Sequence, residues 1–149
     1  MSAKRTAIAA ALLAVVVAGQ LTYFRSTYAG LLTADFGQDQ TFKIANVART
    51  ATPPGTSLIV IGTDWSSVVP YYAQRKAFAV PNWLPLASWR RILAAPQSFL
   101  DGVPMGGVVY CPDNLWPNAE REALVASFIA GRAIRGEVGP CKVLAPAKS

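Results

Sequence analysis

The chain has 149 residues and a formal net charge of +6; 52% of the residues are hydrophobic and 15% are charged, against about 25% charged in typical soluble domains. Those values exclude a disordered chain, an acidic tail and a coiled coil. With no histidine and two cysteines, His-based triads, His metal sites and a four-thiolate zinc site are excluded, and no metal or cofactor is expected.

From Thr6 to Phe24 no residue is charged. A helix over that stretch covers roughly 28 Å, close to the ~30 Å hydrocarbon core of a bilayer. Lys4 and Arg5 precede it, Tyr23 and Phe24 close it, and Arg25 follows. Positive charge before the span places the N-terminus in the cytoplasm, and the aromatics suit the opposite interface. A cleavable signal peptide is the alternative, with Val17-Ala18-Gly19 supplying small residues at a cleavage point. Either reading makes the lipid bilayer a partner and carries the rest of the chain across it. The location expected is a single-pass inner-membrane protein with an extracytoplasmic C-terminal domain, or a secreted or periplasmic protein after cleavage.

Beyond the span, Phe42, Ile44, Ala45, Val47 and Ala48 predict an amphipathic helix ending near Arg49, stopped by Pro53-Pro54-Gly55. Ser57–Gly62 reads as a short strand buried on both faces. Ser66 or Ser67 opens a helix to about Lys76, with Pro70 in its first turn. Ala77–Val80 is a second strand, Pro85–Ala95 a helix and Gly106–Cys111 a third strand. Asn118 caps a helix from Ala119 to about Arg132, and Cys141–Leu144 is a fourth strand. Such alternation predicts an α/β fold: one N-terminal transmembrane helix, then a small three-layer domain with a mostly parallel sheet of about four strands. The domains expected are 1–25 as anchor or signal peptide, 26–55 as an amphipathic linker helix and 56–149 as the extracytoplasmic α/β domain.

Cys111 and Cys141 read either as small buried apolar residues or as a disulfide. The membrane argument puts them in an oxidising compartment, and each stands at a predicted strand end, so the disulfide is the expectation. The basic residues are scattered as singles and pairs, such as Lys4/Arg5, Arg75/Lys76 and Arg90/Arg91. Without a basic run, no nucleic-acid partner is expected.

The block GTDWSSVVPYYAQRKAFAV follows the first strand, where ligand groups collect in open parallel sheets. Asp64, Trp65, Tyr72 and Arg75 are the candidate ligand-binding residues. Aromatic rings stack on the apolar faces of sugars, and Arg makes paired hydrogen bonds to phosphate. A second reading makes Asp64 a turn cap paired with Arg75, and Trp65 and the tyrosines core residues. Catalytic alternatives are a Ser66 or Ser67 dyad with Lys76, and a carboxylate pair of Asp64 and Asp113. No phosphate-binding or dinucleotide-binding glycine motif occurs.

In its order of span, amphipathic segment, PPGTSLIVIGTDWSSVVPYYAQRKAF, Trp-containing helix and GGVVYCPD, the chain resembles the extracytoplasmic C-terminal region of bacterial GT-C-type glycosyltransferases. These are the mannosyltransferase-like membrane enzymes that use polyprenyl-phosphate sugars. The resemblance covers nearly the whole chain, and its most specific part is the G-x-D-W-S…YY-x-x-R-K block. It implies a role in cell-envelope glycan or lipid modification, with a multi-span glycosyltransferase subunit or a polyprenyl-phosphate sugar as partner. The family has many membrane helices and acidic catalytic residues in an early extracytoplasmic loop. This sequence has one hydrophobic span, and Asp35 and Asp39 do not match that loop, so no catalytic residue carries over. The resemblance therefore implies an accessory or substrate-facing domain that does not transfer sugar alone; the alternative is a membrane-anchored protein-interaction module.

Overall fold

The computed structural model describes residues 3–147, and the chain divides between Phe36 and Gly37 into two compact units. The first unit is helix α1, Ala3–Thr33. Its stretch Ala7–Thr33 contains an 18-residue window with a mean hydropathy of 2.0, none of it buried. At 27 residues it is about 40 Å long, enough for the hydrocarbon core together with the headgroup layers. Three hydroxyls within it are satisfied locally. The hydroxyls of Thr22, Ser26 and Thr33 donate to the carbonyls of Ala18, Tyr23 and Ala29 at 2.8, 2.9 and 3.1 Å, as an apolar surrounding requires. The helix thus has the length and composition of a membrane anchor or a signal sequence. Lys4 and Arg5, on which the orientation rests, lie outside the residues whose side chains are described.

The second unit opens with α2, Gln40–Ala51, whose first turn is capped by Asp39 accepting from the Phe42 N–H at 2.9 Å. This helix falls within the segment expected as a linker, but it is not one. Ile44, Ala45 and Ala48 are fully buried against the sheet, so α2 is a layer of the α/β unit. An amphipathic helix needs an apolar surface to cover, and the sheet supplies it.

The sheet comprises β1 (Ser57–Ile61), β2 (Lys76–Val80), β3 (Met105–Tyr110), β4 (Ile134–Val138) and β5 (Cys141–Leu144), in the spatial order β2-β1-β3-β5-β4. β2 and β3 flank β1 in parallel, β5 runs antiparallel to β3, and β4 antiparallel to β5. Thus the sheet is five-stranded and mixed, in place of the four mostly parallel strands expected. The strand missed is β4, because Gly136 between Arg135 and Glu137 reads as a break. A Cβ at Gly136 would collide with the Val47 side chain; the glycine lets α2 pack close over an edge strand.

Alternation along β1 sends Leu58 and Val60 to one face and Ile59 and Ile61 to the other. Helix α2 and the short α3 (Val68–Ala73) cover the first face; α4 (Leu86–Ala94) and α5 (Ala119–Ile129) cover the second. The result is three layers with both faces of the parallel part covered. Trp89 of α4, fully buried, anchors the second face. Helix α5 ends at Ile129, short of the expected Arg132, whose guanidinium turns back to the Phe128 carbonyl at 2.8 Å.

Candidate functional site

The strands β1, β2 and β3 all end on the same side of the sheet, and each is followed by a loop that carries a polar residue and then a tryptophan. After β1 come Gly62, Thr63, Asp64 and Trp65; after β2 come Pro81, Asn82 and Trp83; after β3 come Asn114 and Trp116. Gly62 has φ 86°, and a Cβ there would collide with the Cys111 carbonyl, so the first loop crosses directly against the third. Asp64 takes a left-handed backbone, φ 50°. Its carboxylate accepts the backbone N–H of Asn82 at 3.0 Å. The Asn82 side chain in turn donates to the Asn114 carbonyl at 3.0 Å. Asn82 is 2% exposed and so binds all three loops into one rim. Its Oδ1 and the Thr63 hydroxyl are buried without a hydrogen-bond partner among the described residues. That is a cost stable cores avoid, and one that needs an explanation where it occurs.

The tryptophans face outward. Trp65 is 75% exposed, Trp83 53% and Trp116 55%. The rings of Trp65 and Trp83 lie 5.7 Å apart at 55°, an aromatic pair supported from below by the Asp64–Asn82 bond. Trp65 is therefore not the core residue that the alternative reading made it. Beside it a shallow groove of about 330 Å³ runs along the edge strand, lined by Trp65, Ser66, Ser67, Pro70 and the β2 residues Ala77, Phe78 and Ala79. Chemically the rim offers ring faces for stacking.

Two of the four candidate residues are elsewhere. Tyr72 sits on α3, with its ring edge-on to Phe42 of α2 at 4.6 Å and to Tyr71 at 5.0 Å. It joins two helices on one face and makes no part of the Asp64 network. Arg75 precedes β2, at the opposite end of the sheet from Asp64. Its guanidinium donates to the carbonyls of Arg49 and Thr52 at 3.1 and 2.7 Å and to those of Ala73 and Gln74 at 3.2 and 3.0 Å. It closes the C-terminus of α2, where a cation satisfies free carbonyls. The helix α3 runs down the sheet instead of folding back over the strand end, so the pairing of Arg75 with Asp64 does not form. The same geometry separates the Ser–Lys pair. Ser66 accepts from the Val68 N–H at 3.3 Å, while Lys76 faces Asp101 at 4.0 Å on the far side.

Cys111 and Cys141 form a disulfide next to the rim, joining the end of β3 to the start of β5. The Gln40 side chain at the start of α2 donates to Cys141 Sγ at 2.9 Å. Tyr110, the last residue of β3, has its phenol pKa raised, first by burial and then by the negative charges of Glu122 and Asp113; it stays protonated at neutral pH.

Sequence reasoning found Asp64 and Trp65 but missed Asn82, Trp83, Asn114 and Trp116. A signal was present: a carboxylate or amide followed within two residues by Trp recurs after each of the three parallel strands. Comparison of the chain with family models, with curated proteins and with solved structures finds no match.

Proposed function

We propose that this chain is a membrane-anchored extracytoplasmic domain of a cell-envelope glycosyltransferase system that presents a saccharide-binding rim and does not transfer sugar by itself. The anchor is α1, single-pass in the inner membrane, and the α/β unit stands outside. The observation that carries the reading is the exposed Trp65–Trp83 pair beyond the ends of β1 and β2. Parallel sheets collect ligands there, and a pair of open indole rings suits the apolar face of a sugar ring. The apolar helix and the disulfide support an exported location. The ligand class is a glycan or the sugar of a polyprenyl-phosphate sugar, held through its ring face, since Arg75 lies at the other end of the sheet and offers the rim no phosphate contact.

The test compares Trp65→Ala with the unaltered chain in a binding assay against a polyprenyl-phosphate sugar, beside a thermal melt. Removing one stacking ring should weaken binding about tenfold, equivalent to ~1.4 kcal/mol. An exposed side chain should leave stability within about 0.5 kcal/mol. Unchanged binding would remove the rim from the account.

A second reading, a protein-interaction module, has the groove beside the edge strand β2 in its favour, since an open edge can add a strand from a partner. Trp83 does not line that groove. Trp83→Ala therefore weakens saccharide binding in the first reading and leaves strand addition intact in the second.

A further inference from the structure

Of the four tryptophans, Trp89 is fully buried in the core and the other three are more than half exposed. All three exposed rings stand on loops at one end of the sheet. The chain also enters the α/β unit at that end. Gln40, the first residue of α2, bonds Cys141, which is joined to Cys111 just past the end of β3, and Gly139 lies against the same glutamine side chain. Only residues 34–39 connect Gln40 to the last residue of α1. Fully extended, the seven steps from Thr33 to Gln40 reach at most about 25 Å.

From these observations we infer that the rim of Trp65, Trp83 and Trp116 docks on the bilayer surface, with its indoles in the headgroup layer. The inference rests on the reading that α1 spans the membrane. A span ending at Thr33 brings the chain out at the outer edge of the headgroups, and the length of residues 34–39 limits how far from that surface Gln40, at the entry end of the α/β unit, can lie. That end carries the residue type most enriched at membrane–water interfaces, where an apolar ring body and a polar N–H both find their medium. Charge does not drive the contact: the rim loops carry Asp64 and Asp113 and no Lys or Arg. The partner is therefore a zwitterionic or mixed lipid surface, and the attachment is insensitive to salt. A saccharide reaching the rim would arrive in the plane of the membrane.

The test uses the full chain reconstituted in phosphatidylcholine vesicles, with or without bromine on the acyl carbons nearest the headgroup. Bromine quenches indole fluorescence on contact. Brominated vesicles should quench the unaltered chain severalfold more than a Trp65→Phe/Trp83→Phe/Trp116→Phe variant, which retains only Trp89, and high salt should not change the difference. The phenylalanines replace exposed rings, and a matching thermal melt confirms that the fold is kept. Resistance of the chain to alkaline extraction is measured on the same vesicles. Extraction-resistant protein whose rim is quenched by aqueous iodide and not by bromine overturns the docking and leaves the span standing. Protein released by alkali overturns both.

Discussion

At Asp64 the backbone is left-handed, with φ 50°, a conformation that costs a residue with a Cβ roughly 1–2 kcal/mol. The carboxylate offsets this by accepting the Asn82 N–H at 3.0 Å. Asparagine tolerates the same backbone and keeps an acceptor oxygen, so Asp64→Asn should change stability by less than about 0.5 kcal/mol. Asp64→Ala keeps the strain and loses the acceptor, and should cost about 1–2 kcal/mol. Urea unfolding of the two variants measures the difference; an equal loss in both would mean that the carboxylate charge, not the acceptor, holds the loop. Asp64 and Trp65 were legible in the sequence because they directly follow a strand that reads clearly. Arg75 was not. Its partners are the carbonyls of Arg49 and Thr52, which belong to a helix more than twenty residues earlier, and no local pattern reports a contact of that kind.

Among the elements, the strongly patterned ones were read to within a few residues. β1 is apolar throughout after Ser57, with all five residues buried, and α5 begins where Asn118 caps it, accepting the Arg121 N–H at 2.8 Å. The errors fall where tertiary packing overrides local character. β4 is an edge strand with a glycine placed for α2, and only the folded sheet shows what the apolar face of α2 covers. The cysteine pairing followed from compartment and strand ends, and the disulfide closes a loop with a sequence separation of 30 residues. Its removal by Cys111→Ala/Cys141→Ala should lower stability by roughly 3–4 kcal/mol in the chain-entropy picture. Chemical denaturation of that variant beside the oxidised chain tests the magnitude. Mass measurement of exported protein before and after reduction should differ by two hydrogens, and two free thiols in freshly exported material would contradict the bond.

For the molecule as a whole, the proposed orientation, with the N-terminus in the cytoplasm, rests on Lys4 and Arg5 ahead of the apolar helix and on the paired cysteines after it. A reporter active only in the cytoplasm, fused after Ser149, should be silent; a strong signal would reverse the topology. The three-tryptophan rim emerges only when the fold brings three separated loops together. The sheet order has a further consequence, for the timing of export. In space β5 lies between β3 and β4, yet it follows both in the chain. In the proposed orientation the N-terminus stays behind and the segments after α1 cross in chain order, so β1, β2 and β3 arrive early and can pair on arrival. The outer edge of β3 then waits for the last strand to come through, and Cys111 waits beside it as a thiol until Cys141 follows. Translocation stalled between these two cysteines would leave an open strand edge and a reactive sulfur together outside the cell membrane, the state most exposed to mispairing with another chain.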